Sequence, residues 1–333
     1  MMKTTEYKIK LVSPAFLGNA EQRGQWRTPP FKALLRQWWR IVVAPKFNDE
    51  LSEIRAREGA LFGQVGNGST TNNRANRSLV RIRFAEDQLW SNGTQNGVHP
   101  LQTSLDYSYA WFALANSRGR SDRVGIKAET SESSHVLHLA YPEEHYQDFD
   151  RVMHFIGHFG QIGSRCRGGW GSIDVDPLNP LLISEIESYA QPIQNCLARD
   201  WPACFARNEH GLLIWKSSAT SKDWSEAMKK VAFLRRSVRT SLKSINGVDH
   251  RRVLGFADPG GRMPSPLRWR LYPEKEGIAF RIFAMPYQPD TACGFRLTAK
   301  QQEHAWNLIA DLLSNDRTLQ TFSTADLRSR HGA

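Results

Sequence analysis

The sequence predicts an α+β protein built of two ferredoxin-like halves, each a small antiparallel sheet with helices packed on one face. Three observations predict it. Short strand-like runs fall at 7–12, 77–84, 136–140 and 172–175, and again at 212–216, 267–271 and 278–285. Amphipathic helical runs lie between them, at 29–43 and 142–157 and then at 224–243 and 298–313. A proline-bounded junction, Pro177 to Pro180, separates the two sets, so the expected domains are 1–177 and 178–333. No close sequence repeat links the halves.

The elements follow in order. Tyr7, Ile9 and Leu11 alternate with Lys8 and Lys10, which marks a half-buried first strand. The run from Ser13 to Gly18 ends it, and the polar loop that follows carries Arg23, Trp26 and Arg27. Thr28 reads as an N-cap, with Pro29 and Pro30 at the helix entry. Phe31, Leu34, Leu35, Trp38 and Ile41/Val42 form the buried stripe of that helix. Lys32, Arg36 and Arg40 recur every four residues on another face. A solvated basic face is the common fate of such a stripe. The stretch 64–76 is rich in Gly, Ser, Thr and Asn and reads as a mobile loop. From 77 to 84, Leu79, Arg81 and Arg83 alternate with Val80, Ile82 and Phe84, a strand with one basic and one apolar face. The aromatic run 105–115, with Tyr107, Tyr109, Trp111 and Phe112, is expected as strand. Residues 118–123 form a basic turn.

In the helix from 142 to 157, Phe149, Val152, Met153 and Ile156 point inward. In the helix of 224–243 the inward set is Trp224, Met228, Val231, Leu234, Val238 and Leu242. Its outer face carries Lys229, Lys230, Arg235, Arg236, Arg239 and Lys243. The last helix packs through Ala305, Trp306, Ile309 and Leu312/Leu313. The tail after Asp326 is polar and expected to fray.

The chain has 333 residues, 44 Lys and Arg against 33 Asp and Glu, and a formal net charge of +11. That balance favours a polyanionic partner, and the arginine excess over lysine suits phosphates and stacked bases. No apolar run reaches ~18 residues and no signal-peptide pattern is seen, so the expectation is a cytoplasmic protein with no membrane partner. Cys166, Cys196, Cys204 and Cys293 are scattered without a C-x-x-C pair, which fits reduced thiols better than disulfides or zinc. No metal ligand set, cofactor motif or phosphate-loop motif is present, so no metal, cofactor or nucleotide is expected.

Residues 157–173 stand out. Six glycines (157, 160, 163, 168, 169 and 171) fall within fifteen residues, among Ser164, Arg165, Arg167 and Trp170. Such density implies positive φ or close backbone approach, and it suggests amides turned toward a phosphate with two arginines beside them. A mobile Gly-rich connection is the plainer reading.

Three segments together carry a family resemblance. The first is Pro14 to Gly18 followed by the helix pattern Pro29-x-x-Lys32-x-x-Leu35-Arg36-x-Trp38-Trp39-Arg40. The second is Leu61-Phe62-Gly63 ahead of the strand with alternating arginines. The third is Gly163-Ser164-Arg165-Cys166-Arg167-Gly168-Gly169-Trp170-Gly171-Ser172. Together they resemble the RAMP superfamily of CRISPR-associated proteins, and within it they look most like subunit one of Cmr (type III-B) effector complexes. The likeness covers about 5–175 well and 250–290 weakly, the latter through Arg262 to Leu267. One departure is Gly168-Gly169, where the family often has a basic residue before the second glycine.

The resemblance implies two RRM-like domains in a non-catalytic subunit of an antiviral effector complex. Such a subunit contacts guide RNA and target RNA near the 3′ part of the guide, and packs against other subunits. It implies RNA contacts at Lys32, Arg36 and Arg40, and at Gly163, Ser164, Arg165, Arg167, Gly168, Gly169, Trp170 and Gly171, with Arg27 and Arg262 added as nearby basic residues. Trp26, Trp170 and Trp269 each neighbour an arginine and offer stacking surfaces for unpaired bases, with core burial the alternative for each; Trp38, Trp224 and Trp306 are expected in the core.

The alternative is an endoribonuclease that processes guide RNA or cuts target RNA, since other RAMP proteins cut RNA. His154 and His158 share a helix face, and His158 is the runner-up catalytic residue. Asp106, Asp122 and Asp258 are possible cleaving aspartates, though nothing in their surroundings marks one. A third reading, a general single-strand RNA-binding protein with RRM-like halves, is weakened by the lack of an RNP-type aromatic pattern.

Overall fold

The computed structural model describes residues 1–20, 23–47, 50–64, 75–85, 97–100, 105–112, 114, 123–129, 134–179, 182–245, 247–258, 261–289 and 294–322. The cores of the polar loops 64–76 and 91–97, Arg118, Arg120, Asp122, Cys293, the tail after Asp326 and the side chains of Asp106 and Asp258 lie outside the described residues.

The first half runs β1 (Met2–Leu11), α1 (Thr28–Val43), α2 (Leu51–Phe62), β2 (Arg81–Phe84), α3 (Leu105–Ser108), β3 (His135–Pro142), α4 (Tyr146–Phe159) and β4 (Ile173–Asp176). Its sheet is antiparallel in the order β2-β3-β1-β4. A connecting region follows: α5 (Ile183–Glu187), β5 (Ala190–Pro192), α6 (Ile193–Leu197), β6 (Phe205–Asn208) and β7 (Gly211–Leu212), the strands forming a separate small sheet. The second half is β8 (Ile214–Ser217), α7 (Trp224–Ser241), the hairpin β9 (Phe256–Asp258) and β10 (Gly261–Met263), β11 (Leu267–Glu274), β12 (Gly277–Ala284), α8 (Ala299–Ser314) and β13 (Leu319–Thr321). Its main sheet has the order β11-β12-β8-β13 and is also antiparallel. Leaving aside the hairpin and α2 and α3, each half is strand-helix-strand-strand-helix-strand, and in each sheet the second, third, first and fourth strands lie side by side. The expected ferredoxin-like architecture is therefore present twice.

The strands form where alternation selects them. Tyr7, Ile9 and Leu11 of β1 are buried while Glu6 and Lys8 are exposed, so this sheet has one face on α1 and α4 and one charged face. α1 starts one residue earlier than a Thr28 cap requires. Arg27 holds the extended N-cap position without a side-chain bond, Thr28 is already helical, and Pro29 occupies the first turn, where a missing N–H costs nothing. α7 and α8 are capped by Asp223 and Thr298, which accept from the amides of Glu226 and Gln301. The aromatic run 105–115, expected as strand, instead begins with the short helix α3 and continues as turn. Tyr107 and Trp111 lie one helical turn apart and are both buried, so the period that matters there is four, not two.

The second sheet is buried on both faces. Trp269, Leu271, Phe280 and Ile282 pack with α7 and α8, and the opposite face packs on the first half. Phe283 of β12 and Ile214 of β8 belong to the core of the first half, against Phe159 and Phe205. Three arginines sit in this interface at 3%, 0% and 4% exposure: Arg268, Arg270 and Arg281. Arg270 Nη2 donates to the carbonyls of Gly157 and Ile173 at 2.5 Å each, and Arg281 Nη1 donates to that of His158 at 2.8 Å. Gly157 and His158 are in the last turn of α4, whose carbonyls have no partner within the helix and carry its negative dipole end. Two like charges directly opposite on β11 and β12 are tolerated because both are turned onto those carbonyls.

Candidate nucleic-acid interface

The Gly-rich stretch leaves α4 at Gly160 and rejoins the sheet at Ile173. Between them it is stitched to three neighbours. The Ser164 amide donates to the Phe16 carbonyl (2.9 Å), the Gly171 amide to that of Pro14 (2.8 Å), and the Trp269 amide to that of Arg167 (3.0 Å). Ser13 Oγ donates to the Gly169 carbonyl and accepts from the Ser172 amide, at 2.6 and 3.0 Å. Ser172 Oγ in turn accepts from the Leu271 amide at 2.9 Å. The amides of Gly168 and Gly169 close back onto the carbonyls of Arg165 and Cys166, at 2.9 and 3.1 Å.

These bonds correct the expectation that the glycines turn their amides to a phosphate: those of Ser164, Gly168, Gly169 and Gly171 are engaged inside the protein. The glycines serve close packing instead. Gly171 has φ +60°, and a Cβ there would drive into the Ile162 carbonyl; a Cβ at Gly168 would stand 2.5 Å from Arg235 Nη1. Gly163, at φ +93°, lies against the Phe16 carbonyl.

Trp170 is fully buried. Its indole N–H donates to the Ala110 carbonyl at 2.9 Å, and its ring lies 4.4 Å from that of Trp111 and 5.9 Å from that of Trp224. Trp26 and Trp269 are 7% and 2% exposed, Trp26 being stacked on Phe31. None of the three tryptophans offers a face to a base. Burial wins because each ring removes a large apolar area from water, and the arginines beside them in sequence point elsewhere.

What the stretch presents outward is Ser164 and Arg165, both exposed. Arg165 is the one non-glycine residue with positive φ (57°) among the described residues. Its guanidinium lies over the ring of Phe112, 5.4 Å from the centroid, and Phe112 is 67% exposed. Alongside, Arg235 of α7 lies over the ring of Tyr109 at 5.2 Å. Partial burial of its guanidinium disfavours the charged form of Arg165, Arg262 and Arg123 add to that by repulsion, and Tyr109 opposes it. Arg235 is disfavoured in the same way, by burial and then by Arg165 and Arg239, with Tyr109 again opposing. Among the described residues, neither Arg165, Arg235 nor Arg262 forms an ion pair with a carboxylate. Arg165, Arg235 and Arg262, from three regions of the chain, thus lie together without an acidic counter-charge among the described residues, an arrangement that attracts an anion.

Arg167 is half-buried and donates to the Ser265 carbonyl at 3.3 Å. Arg268, beside it, has its charge disfavoured by burial and by Arg167, and takes the Gln37 side-chain oxygen of α1 as an acceptor. That bond ties α1 to β11.

The basic stripe of α1 is half-buried and largely engaged. Arg36 Nε donates to Glu58 Oε1 at 2.5 Å and Arg40 Nη2 to the same oxygen at 2.7 Å; Arg40 Nε reaches Oε2. Lys32 has its charge disfavoured by burial and by Arg36. Arg27 is half-buried ahead of the helix. No contact among the described residues joins Lys32, Arg36 or Arg40 to Arg165 or Arg262. Glu58, 2% exposed on α2, is the residue that sequence reading did not single out here. Burial raises its pKa, but the hydrogen bonds and charges of Arg40 and Arg36 outweigh this and hold it below the usual value of 4.5. A depressed carboxylate contributes stability that is present above pH ~4.5 and lost as pH falls through the lower folded-state value. Because both arginines are about a third exposed, Glu58→Gln is expected to cost about 1–2 kcal/mol at pH 7. Urea midpoints measured from pH 7 down to pH 3 check this, since the variant curve should be flatter.

His158 is 3% exposed, and its Nε2 lies 3.2 Å from the Asn179 carbonyl; its ring is 4.9 Å from that of His154. Burial and Arg151 lower the His154 pKa. Among the described residues no group of three or more His, Cys, Asp or Glu is placed to hold a metal, and no helix is long and apolar enough to cross a membrane.

A family model of the RAMP superfamily matches residues 8–174, half of the chain. The chain belongs to the RAMP superfamily. In this RAMP protein the matched span runs from β1 to β4 and takes in the whole Gly-rich stretch. No curated protein matches the sequence. Among solved structures, Cmr1 from Pyrococcus furiosus in its apo form is similar at 15% identity, covering 86% of this chain and 89% of its own, with TM-score 0.48. A chain of the type III-B Cmr-beta complex bound to cognate target RNA is similar at 11% identity, over 93% of this chain and 99% of its own, with TM-score 0.47. A chain of a type IV-B CRISPR complex matches at 13% identity over 54% of this chain and 94% of its own, with TM-score 0.33.

Proposed function

We propose that this RAMP protein is a cytoplasmic, RNA-binding, non-catalytic subunit of a CRISPR type III effector complex of the Cmr type. In this reading it contacts guide and target RNA near the 3′ end of the guide and packs against other subunits. The observation that carries the RNA contact is the cluster of Arg165, Arg235 and Arg262 around the Gly-rich stretch, none of them paired with a carboxylate among the described residues. Arginine forks suit the phosphate backbone, which is how a subunit grips guides of any sequence. Family membership supports the CRISPR setting. The halves 1–177 and 178–333 serve as the two domains of that subunit.

The nuclease alternative has less support. A general base must reach the proton it removes, and the buried ring of His158 faces a backbone carbonyl of its own chain.

The test is a salt titration of single-stranded RNA binding. Three to four phosphate contacts predict that log K falls against log salt with a slope of about −2 to −3, at ~0.7 per contact on a single strand. The RNA should be recovered intact. A slope near zero, or RNA cut in a His158-dependent way, would overturn the proposal.

A further inference from the structure

We infer that Phe112 and Arg165 form a stacking step for one unpaired nucleobase, so that the ligand of the arginine cluster is single-stranded rather than duplex RNA. This rests on the RNA-binding reading and names the form of RNA that the site takes.

Two independent features of the molecule meet at this pair. Phe112 is 67% exposed even though a guanidinium covers part of its ring, so the rest of its aromatic surface is open to solvent. Its neighbours in sequence behave differently: Tyr107 and Trp111 are buried, and Tyr109 is half-buried under Arg235. Phe112 therefore does not contribute to the core that its segment builds. The second feature is the backbone of Arg165. At φ 57° glycine would be accommodated at lower cost, and the surrounding stretch uses glycine at Gly163, Gly169 and Gly171 for that conformation. An arginine held there is directed out of the loop and over the Phe112 ring.

The chemistry follows from the charges around the pair. A guanidinium over one part of an aromatic ring polarises it, and a base can lie flat on the open remainder. Arg262, exposed and close enough to repel Arg165, adds a cation beside the pair for a phosphate next to the stacked base. A duplex keeps its bases stacked on one another and offers only phosphates and groove edges, so Phe112 adds nothing to duplex binding. A single strand offers a free π-face at every nucleotide, whatever its sequence.

The experiment uses the full chain and a short RNA with one 2-aminopurine, whose fluorescence is quenched on stacking. It is offered single-stranded and annealed to its complement. The wild type is expected to bind the single strand with quenching. Phe112→Ala, which removes no core contact, should bind it about tenfold more weakly and without quenching, while Phe112→Trp keeps both. Arg165→Gly, which relieves the backbone, should fold at least as well as the wild type and lose affinity. For the duplex, wild type and Phe112→Ala should bind alike. Equal affinity and quenching of the single strand by wild type and Phe112→Ala would overturn the stacking step while leaving the RNA reading intact. Absence of any RNA binding by the wild type would remove the reading itself.

Discussion

Arg270→Met is expected to lower folding stability by about 3–5 kcal/mol, the loss typical when one member of a buried charged network is removed. Arg270 is fully buried and donates to the carbonyls of Gly157 and Ile173, with Gly160 at 3.4 Å from Nε. Replacing a whole buried ion pair by apolar residues can be neutral. Here the acceptors are backbone carbonyls that remain in place, and each buried carbonyl left without a donor costs about 1–3 kcal/mol. Arg281, opposite on β12, donates to the His158 carbonyl and does not replace the bonds of Arg270. Lysine should rescue little, because a single ammonium cannot span carbonyls on both α4 and β4. Urea denaturation followed by tryptophan fluorescence is the measurement; a midpoint indistinguishable from the wild type would show that the arginine clamp does not hold the halves together.

The second large effect concerns binding. Arg165→Ala combined with Arg235→Ala and Arg262→Ala should weaken single-stranded RNA binding by about 100-fold or more at low salt. Charge-assisted bonds of ~1.5–3 kcal/mol each are at stake, though their sum is not additive. The salt slope should become shallower by about 2, at ~0.7 per lost contact. Arg165 and Arg262 are exposed, so the far-UV circular dichroism of the variant should match that of the wild type. Substituting Arg36 and Arg40 should act differently, because they pair with Glu58 and their loss unbalances a buried carboxylate. Unchanged RNA affinity in the triple variant would place the RNA contact elsewhere on the molecule.

The first sheet, three of the four strands of the second and the four long helices are legible because alternation and helical stripes record burial directly, as in Tyr7-Ile9-Leu11 and in Phe31-Leu34-Leu35-Trp38; the three-residue β13 is too short to show a period. The strand β11 shows where such reading stops. Arg268 and Arg270 look solvent-facing in sequence, which in turn makes Trp269 look like a surface ring. In the fold both faces of β11 are covered; Arg268 lies beside Arg167, and Arg270 is inside because it meets the end of α4. That partner lies more than a hundred residues away, and no local pattern encodes it. Shorter separations, 22 residues for Glu58 and Arg36 and about fifty for Phe112 and Arg165, hide those pairs as well. The basic outer face of α7 was visible as a face. That Arg235 leaves it to lie on Tyr109 depends on the placement of the 105–112 segment, whose aromatic density gave the wrong period. In the Gly-rich stretch, the sequence marked the backbone as special but could not separate close packing from ligand binding.

The burial of Trp170 has a consequence for how the chain is made. Phe16, Trp111 and Trp170 come from the first half, yet they complete the core that contains Met228, Trp269 and Leu271. As synthesis proceeds, the first sheet can close as soon as β4 has emerged, since all of its strands are then present. Its three aromatic side chains have no cover until α7 and β11 follow, roughly fifty to a hundred residues later. A nascent intermediate with native-like secondary structure and an exposed indole cluster should therefore persist at that stage, a species prone to association. The two halves share one topology, but the second must arrive before the first is finished.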